Sequence, residues 1–295
     1  MIKKSSGSII LALIAFLFHQ PHVFSQDENK TLLWEISGKN LKKPSYLYGT
    51  IHIRDKRVFN YDTAVAGAFS RSDVYVMEMV MDKLDPQKQK DAVLMKDSTL
   101  DQLMTKQEYK RLDSVLKKRT KMSLMMYNKM KPFFLMSAMQ GASLNKDLPE
   151  ALDMHFLSRA REAGKEVLGL EKLEDQLYAV DNITLRDQVK MLQASLEMDS
   201  TQTRKEYEKL ISVYLKGDLA GMLKLTADST LPKSFEKVFI HNRNIKMANG
   251  SEKIFKKKSA FIAVGAAHLG GEKGVIELLR KKGYTVKPVK TKFKD

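Results

Sequence analysis

The sequence predicts an α/β fold of the α+β kind. A mixed sheet is built from the N- and C-terminal parts of the chain, with a long helical insertion, about residues 82–230, between them. Three observations predict it. Strand-like runs rich in aromatic and β-branched residues lie in the first 80 residues and again after about residue 259. The stretch between them shows apolar residues at 3.6-residue spacing with charged outer faces. No Gly/Ser/Pro-rich linker separates these parts, so residues 26–295 read as one domain.

The elements follow in order. "TLLWEISG" (Thr31–Gly38) and "SYLYGTIHI" (Ser45–Ile53) flank the turn-forming "KNLKKP" and read as a hairpin. "DTAVAGAFSRSD" places small apolar residues at helical spacing behind an N-cap Asp62. "VYVMEMV" (Val74–Val80) reads as a buried strand. Helical segments then run through "TLDQLMTKQEYKRLDSVLKKR", "KPFFLMSAMQGASL", "ALDMHFLSRAREAG" and from Leu173 to about Leu225, interrupted by one short strand, Lys165–Glu171. The end of the chain returns to α/β: a helix from about Ser234 to Phe255, the strand "AFIAVGAAHL", the helix "EKGVIELLRKKG" and the strand "YTVKPVK". Met122, Met125, Met126, Met130, Met136 and Met139 form a methionine-rich stripe in the insertion. It reads as core filling, with an adaptable peptide groove as the alternative.

Composition bounds the function. At 295 residues and 43% hydrophobic, the chain can bury a substantial core. Residues 1–25 differ from the rest. Lys3 and Lys4 precede the apolar run "IILALIAFLF", which is too short to span a bilayer, and "VFS" precedes Gln26. This is the pattern of a secretory signal peptide, so the mature chain is expected to be exported, periplasmic or extracellular, with no stable membrane span. There is no cysteine, so stability must come from the core. The net charge is +16; Lys3 and Lys4 leave with the leader and no acid does, so the mature chain carries about +14. With no aromatic–basic interleaving, nucleic acid is excluded as a partner in favour of weak contact with an anionic envelope surface.

Few residues are equipped for chemistry. Only His52, His155, His241 and His268 remain after the leader. Two of them end strands in the same form, Gly49-x-x-His52 and Gly265-x-x-His268. Loops at strand ends are open while the backbone behind them is rigid. Glycine there permits a turn or a close backbone approach, and histidine offers a neutral ligand nitrogen or a base. If the first and last strand pairs are neighbours in one sheet, His52 and His268 face one cleft. Glu78 interrupts the apolar "VYVMEMV" and needs a cation, a metal or a shifted pKa. Arg243 lies in the apolar row Phe239, Arg243, Met247 and needs an acidic partner or an anionic substrate group, with Asn244 beside it. His241 and His155 read as structural.

The segments "KPSYLYGTIHI", "DVYVMEM", "AGKEVLGLEKLEDQL", "HNRNIKMA" and "FIAVGAAHLGGEKGVIELLRKKGYTV" occur in the order and spacing of the TraB/GumN family, and the chain resembles it over about residues 31–289. That family includes the Tiki metal-dependent proteases and the TraB and PrgY proteins linked to peptide-pheromone shutdown. The resemblance implies site residues His52, Glu78, His268, Arg243 and Asn244. It adds Glu171 and Gln176 as a further motif of unassigned role. Met247 stands where the family commonly has an aromatic residue.

Two histidines and a carboxylate suit a divalent metal ion, Mn, Co or Zn, held by His52, His268 and Glu78 with an open position for water. Arg243 or Asn244 is then a candidate to stabilise an oxyanion or anchor a peptide carboxylate. Glu78 is open as ligand or general base. The expected function is an exported metal-dependent hydrolase acting on peptides or small molecules, most readily on peptide bonds. A metal-free His–Glu pair activating water remains open beside it. The alternative is a non-catalytic peptide- or polymer-binding envelope protein using the same cleft. There is no H-E-x-x-H pair and no Gly-x-Ser-x-Gly elbow.

Overall fold

Three short runs in this chain have no polar face at all. In β2 (Ser45–Thr50) and β3 (Val74–Met77) every residue is buried, and in β5 (Ala260–Gly265) all but the last. Such strands are stable only in the middle of a sheet covered on both sides. The computed structural model, which describes residues 30–80, 85–143, 147–197, 200–226 and 235–293, places them there. With β1 (Leu33–Ser37), β4 (Glu166–Gly169) and β6 (Thr285–Val289), they form one six-stranded sheet in the order β4-β3-β5-β2-β1-β6. The four strands β4, β3, β5 and β2 run parallel, while β1 pairs antiparallel with both β2 and β6. The edge strands are the more exposed ones, and β6 carries Lys287 and Pro288, which discourage further pairing.

Helices α1 (Thr63–Arg71) and α6 (Leu152–Glu162) cover one region of the sheet through an aromatic cluster. Phe156 of α6 lies 5.6 Å from Tyr48, 5.6 Å from Phe69 and 5.3 Å from Phe261. Helices α11 (Asn242–Phe255) and α12 (Val275–Lys281) pack against β5 and β6 respectively. Met247 is wholly buried here, so its departure from the expected aromatic residue is absorbed as core packing.

The insertion comprises α2 (Pro86–Ala92), α3 (Leu100–Leu103), α4 (Lys106–Thr120), α5 (Pro132–Ser143), α6, then β4, then α7 (Leu173–Asp181), α8 (Leu185–Glu197), α9 (Ser200–Leu215) and α10 (Leu219–Thr226). It has a second apolar core of its own, including Leu112, Leu124, Leu135, Met139 and Leu192. Two expectations change here. The first long segment is two helices, because Thr105 caps α4 and its side chain and Glu108 form a capping box that ends α3. The methionine stripe is only partly core: Met139 is buried, whereas Met125 is 79% and Met126 69% exposed on the short turn Leu124–Tyr127. The expected leader, residues 1–25, lies outside the described residues.

Three predicted strands are also shorter than expected, and the difference matters. β2 stops at Thr50, β3 at Met77 and β5 at Gly265, where a 3-10 turn, Ala266–His268, begins. Glu78 therefore follows its strand rather than interrupting it. His52 and His268 likewise sit just past the strand ends.

Candidate active site at the ends of the parallel strands

Parallel strands bring all their C-terminal ends to one edge. Here β2 leads to His52, β5 to His268, β3 to Glu78 and β4 to Glu171. The Glu171 amide donates to the Glu78 carbonyl at 2.8 Å, extending the β3–β4 pairing beyond the strands. Both glycines of the paired motifs permit close approaches. A Cβ on Gly49 would meet the Cα and Cβ of Ala266 at 3.1 Å, so glycine lets the turn bearing His268 lie this tightly against β2. A Cβ on Gly265 would meet Glu78 Oε1 at 3.3 Å, the oxygen that accepts the Gly265 N–H at 2.7 Å.

Glu78 Oε1 is the centre of the group. His52 Nε2 lies 3.9 Å from it and His268 Nε2 4.0 Å. The sequence-predicted pair of histidines thus shares one carboxylate oxygen. The other oxygen, Oε2, accepts from Arg243 Nη2 at 2.6 Å. Arg243 also grips Glu171 with two bonds, Nε to Oε1 at 2.9 Å and Nη2 to Oε2 at 2.7 Å, and donates Nη1 to the Phe239 carbonyl at 3.3 Å. Four of its five N–H groups are therefore used within the protein. Asn244 is equally committed: Nδ2 donates to the Lys273 carbonyl at 2.8 Å, which leaves Oδ1 to accept from His268 Nδ1 at 2.6 Å. Those bonds make Arg243 and Asn244 supports of the carboxylate and the imidazole. Gln176 reaches Glu171 Oε2 at 3.4 Å. His155 and His241 stand apart, on Tyr61 and Glu236 respectively.

Asp153 is a site residue that the sequence reading missed. Its Oδ1 lies 3.0 Å from His52 Nδ1. That oxygen is buried and has no hydrogen bond of proper direction. A small rotation of the half-open His52 ring would supply one. The loop carrying His52 is fixed from the other side, where the buried Asp55 accepts from Arg57 Nη2 at 2.6 Å and Tyr207 at 2.8 Å.

The two histidines are tuned in opposite directions. His268 is buried, and desolvation first, with Arg243 and His52 adding, lowers its pKa to about 4 against the attraction of Glu78. It is neutral at pH 7, with its proton on Nδ1 and a lone pair on Nε2 facing Glu78. For His52 desolvation again pulls downward, but Asp153 and Glu78 together outweigh it and raise the pKa to about 9. Water reaching a side chain that is 59% exposed screens part of that rise. Burial pushes Glu78 upward, yet His268 and His52 when charged, Arg243, and the Gly265 N–H bring it to about 2. With His268 neutral at pH 7, Arg243 and Gly265 are its constant support.

These shifts set an expected pH profile of stability in the absence of metal. Protonation of His268 favours the unfolded chain, so stability falls as pH drops from 6.5 to about 4. His52 acts with the opposite sign: its contribution is full below 6.5 and is lost as pH rises toward about 9. Melting temperatures in chelator should therefore peak near pH 6.5, and His268→Gln should have a shallower limb between 6.5 and 4. Equal slopes in both proteins would rule out a buried neutral His268.

The sequence model of the TraB/PrgY/gumN family matches residues 32–288. The chain belongs to that family. Among its curated family relatives, Metalloprotease TIKI2 of Danio rerio is 24% identical over 89% of this chain and 61% of its own length. Metalloprotease TIKI1 of Xenopus tropicalis is 25% identical over 88% and 62%, and TIKI1 of Homo sapiens 24% over 88% and 62%. The chain thus spans about six-tenths of the length of these relatives. No solved structure matches it.

As they stand, the described residues include no group of three or more His, Asp or Glu side chains drawn up as a metal cage. Donors on one tetrahedral ion, with bonds of about 2.0–2.2 Å, stand about 3.4 Å apart, so the 3.9 and 4.0 Å separations here are wider by about half an ångström. The chemistry and orientation of the donors nevertheless fit. Both histidines turn Nε2 inward while Nδ1 faces an outer oxygen, Asp153 for His52 and Asn244 for His268. This is the arrangement that fixes imidazole ligands.

Proposed function

We propose that the chain is an exported metal-dependent hydrolase acting on peptide bonds. The observation that carries this reading is the convergence of two Nε2 atoms on one oxygen of an ionised, buried carboxylate. The names of the TIKI relatives support it. His52 Nε2, His268 Nε2 and Glu78 Oε1 would hold the ion, of the Mn, Co or Zn class. When bound, such an ion polarises a carbonyl and lowers the pKa of water.

The chain's own residues divide the remaining work. Asn244 keeps the His268 lone pair aimed at the cleft. Asp153 orients His52 from behind. Arg243 and the Gly265 N–H keep Glu78 ionised at neutral pH, and Glu171 holds Arg243 in place. Both Glu78 oxygens already accept, from Arg243 and from the Gly265 N–H, and these bonds favour the ionised form, which suits Glu78 as a ligand rather than the proton acceptor. Because Arg243 and Asn244 are occupied by protein partners, neither is assigned to an oxyanion or to a substrate carboxylate. The width of the donor triangle favours a second reading, in which the cleft holds a peptide without cleaving it.

Metal content separates the two. Chelator-treated protein re-equilibrated with Mn, Co or Zn should bind about one ion per chain by elemental analysis, and His52→Ala and His268→Ala should lose it. Equal, substoichiometric metal in all three would sink the metal-site reading. Export rests on the leader pattern of residues 1–25; among the described residues no helix is long and apolar enough to cross a membrane. Intact mass of the exported protein should begin at Gln26, and retention of Met1 would count against it.

A further inference from the structure

The cleft that holds His52, Glu78, Asp153 and Arg243 encloses about 520 Å³ and has an apolar wall beside that charged group. Phe133 and Phe134 of α5, Leu177 and Val180 of α7, Met154 of α6 and Phe239 line it. The Phe133 and Phe239 rings stand 5.3 Å apart. Phe239 comes from a π-helical turn, Glu236–His241, that leads into α11, and its carbonyl is the one Arg243 binds. Such wide turns recur where a side chain must be re-aimed at a functional site. The apolar wall and the charged group are therefore physically joined.

Charge narrows what can enter. Among the described lining residues the one guanidinium, Arg243, is matched by Glu78 and Glu171, and Asp153 adds a further carboxylate. An acidic side chain would be desolvated against phenylalanines, near Glu78 and Asp153, while the cations of the cleft, Arg243 and His52, already face carboxylates. An aromatic or long aliphatic side chain would exchange water for apolar contact.

Building on the hydrolase reading, we infer that this wall is a specificity pocket. It receives an aromatic or long aliphatic residue next to the scissile bond of a peptide and rejects an acidic one. The helical insertion, with Phe239 from the turn before α11, thus chooses the substrate, while the sheet ends supply the chemistry.

The test uses two fluorescein-labelled octapeptides, identical except for Phe or Asp at one central position. Each is presented to the metal-loaded chain, and both cleavage by mass spectrometry and binding by anisotropy are read. The Phe peptide should bind at least about tenfold more tightly than the Asp peptide, with a comparable advantage in kcat/KM. Phe239→Ala should shrink that advantage. Leu177→Arg, on the half-buried wall and outside the charged group, should narrow or reverse it by admitting the Asp peptide. Melting temperatures confirm that each variant is folded, and whichever of the two folds is decisive. Equal binding of the two peptides, binding of neither, or an unchanged ratio in a folded variant would overturn the pocket. Selective binding without cleavage would leave the pocket standing and remove the hydrolase reading. Cleavage without selectivity would do the reverse.

Discussion

Glu171→Ala will lower the stability of the folded chain by about 3–5 kcal/mol, the largest loss expected from a single change at the site. The Glu171 carboxylate is wholly inaccessible and binds Arg243 through two parallel bonds. Removing it leaves a guanidinium that is 14% exposed with Glu78 as its one remaining carboxylate, and Glu78 alone cannot satisfy both Nε and Nη2. The charge is then underpaired in a poorly hydrated place. Urea unfolding of the wild type and the variant measures the loss. Combining Glu171→Ala with Arg243→Met and Glu78→Gln should recover part of it, since no buried charge is then left without a partner. A loss under about 1 kcal/mol would mean that Glu78 balances Arg243 unaided.

Glu78→Gln should have the opposite profile, with little structural damage and a severe functional loss. On the proposed hydrolase reading, hydrolysis is expected to fall by about a thousandfold or more, the order of several kcal/mol of lost charge stabilisation. The fold should lose only about 1–3 kcal/mol. One amide oxygen can still accept from Gly265 or Arg243, and Glu171 still neutralises the guanidinium. The variant should also lose an acid-sensitive component. In the wild type the depressed Glu78 pKa contributes stability above 4.5 that disappears as pH falls toward about 2. Full hydrolytic activity in a folded Glu78→Gln protein would remove Glu78 from the mechanism.

Much of this arrangement was legible in the sequence because strand patterning is local. The all-buried runs of β2, β3 and β5 announce themselves by composition, and a glycine three residues before a histidine flags the two strand ends. Two apolar-row anomalies, Glu78 and Arg243, turned out to be each other's partners, as the cost of burying a lone charge requires. Less could be read where the decisive fact is a long-range contact. Asp153 sits in the first turn of an amphipathic helix, where an acid is ordinary dipole complement, so nothing local marks it as the neighbour of His52. Glu171 stood out only through family resemblance. The break between α3 and α4 was written in Thr105-x-x-Glu108, a capping signal masked by continuous apolar spacing. The strand ends were overrun because apolar residues continue past Met77 and Gly265 into turns that are equally buried.

The sheet order has a consequence for how the molecule is made. β5, drawn from residues 260–265, occupies the slot between β2 and β3, which are synthesised some two hundred residues earlier. Until nearly the whole chain has emerged, those two strands have no common neighbour, and each presents an apolar, hydrogen-bond-hungry edge. The closing contacts are among the most distant in sequence, so folding should be slow and late, governed by loop closure rather than by local helix formation. A product ending before β5 would retain the helical insertion's own core yet carry two sticky strand edges and no His268. Such fragments should aggregate or be degraded rather than linger in a folded form.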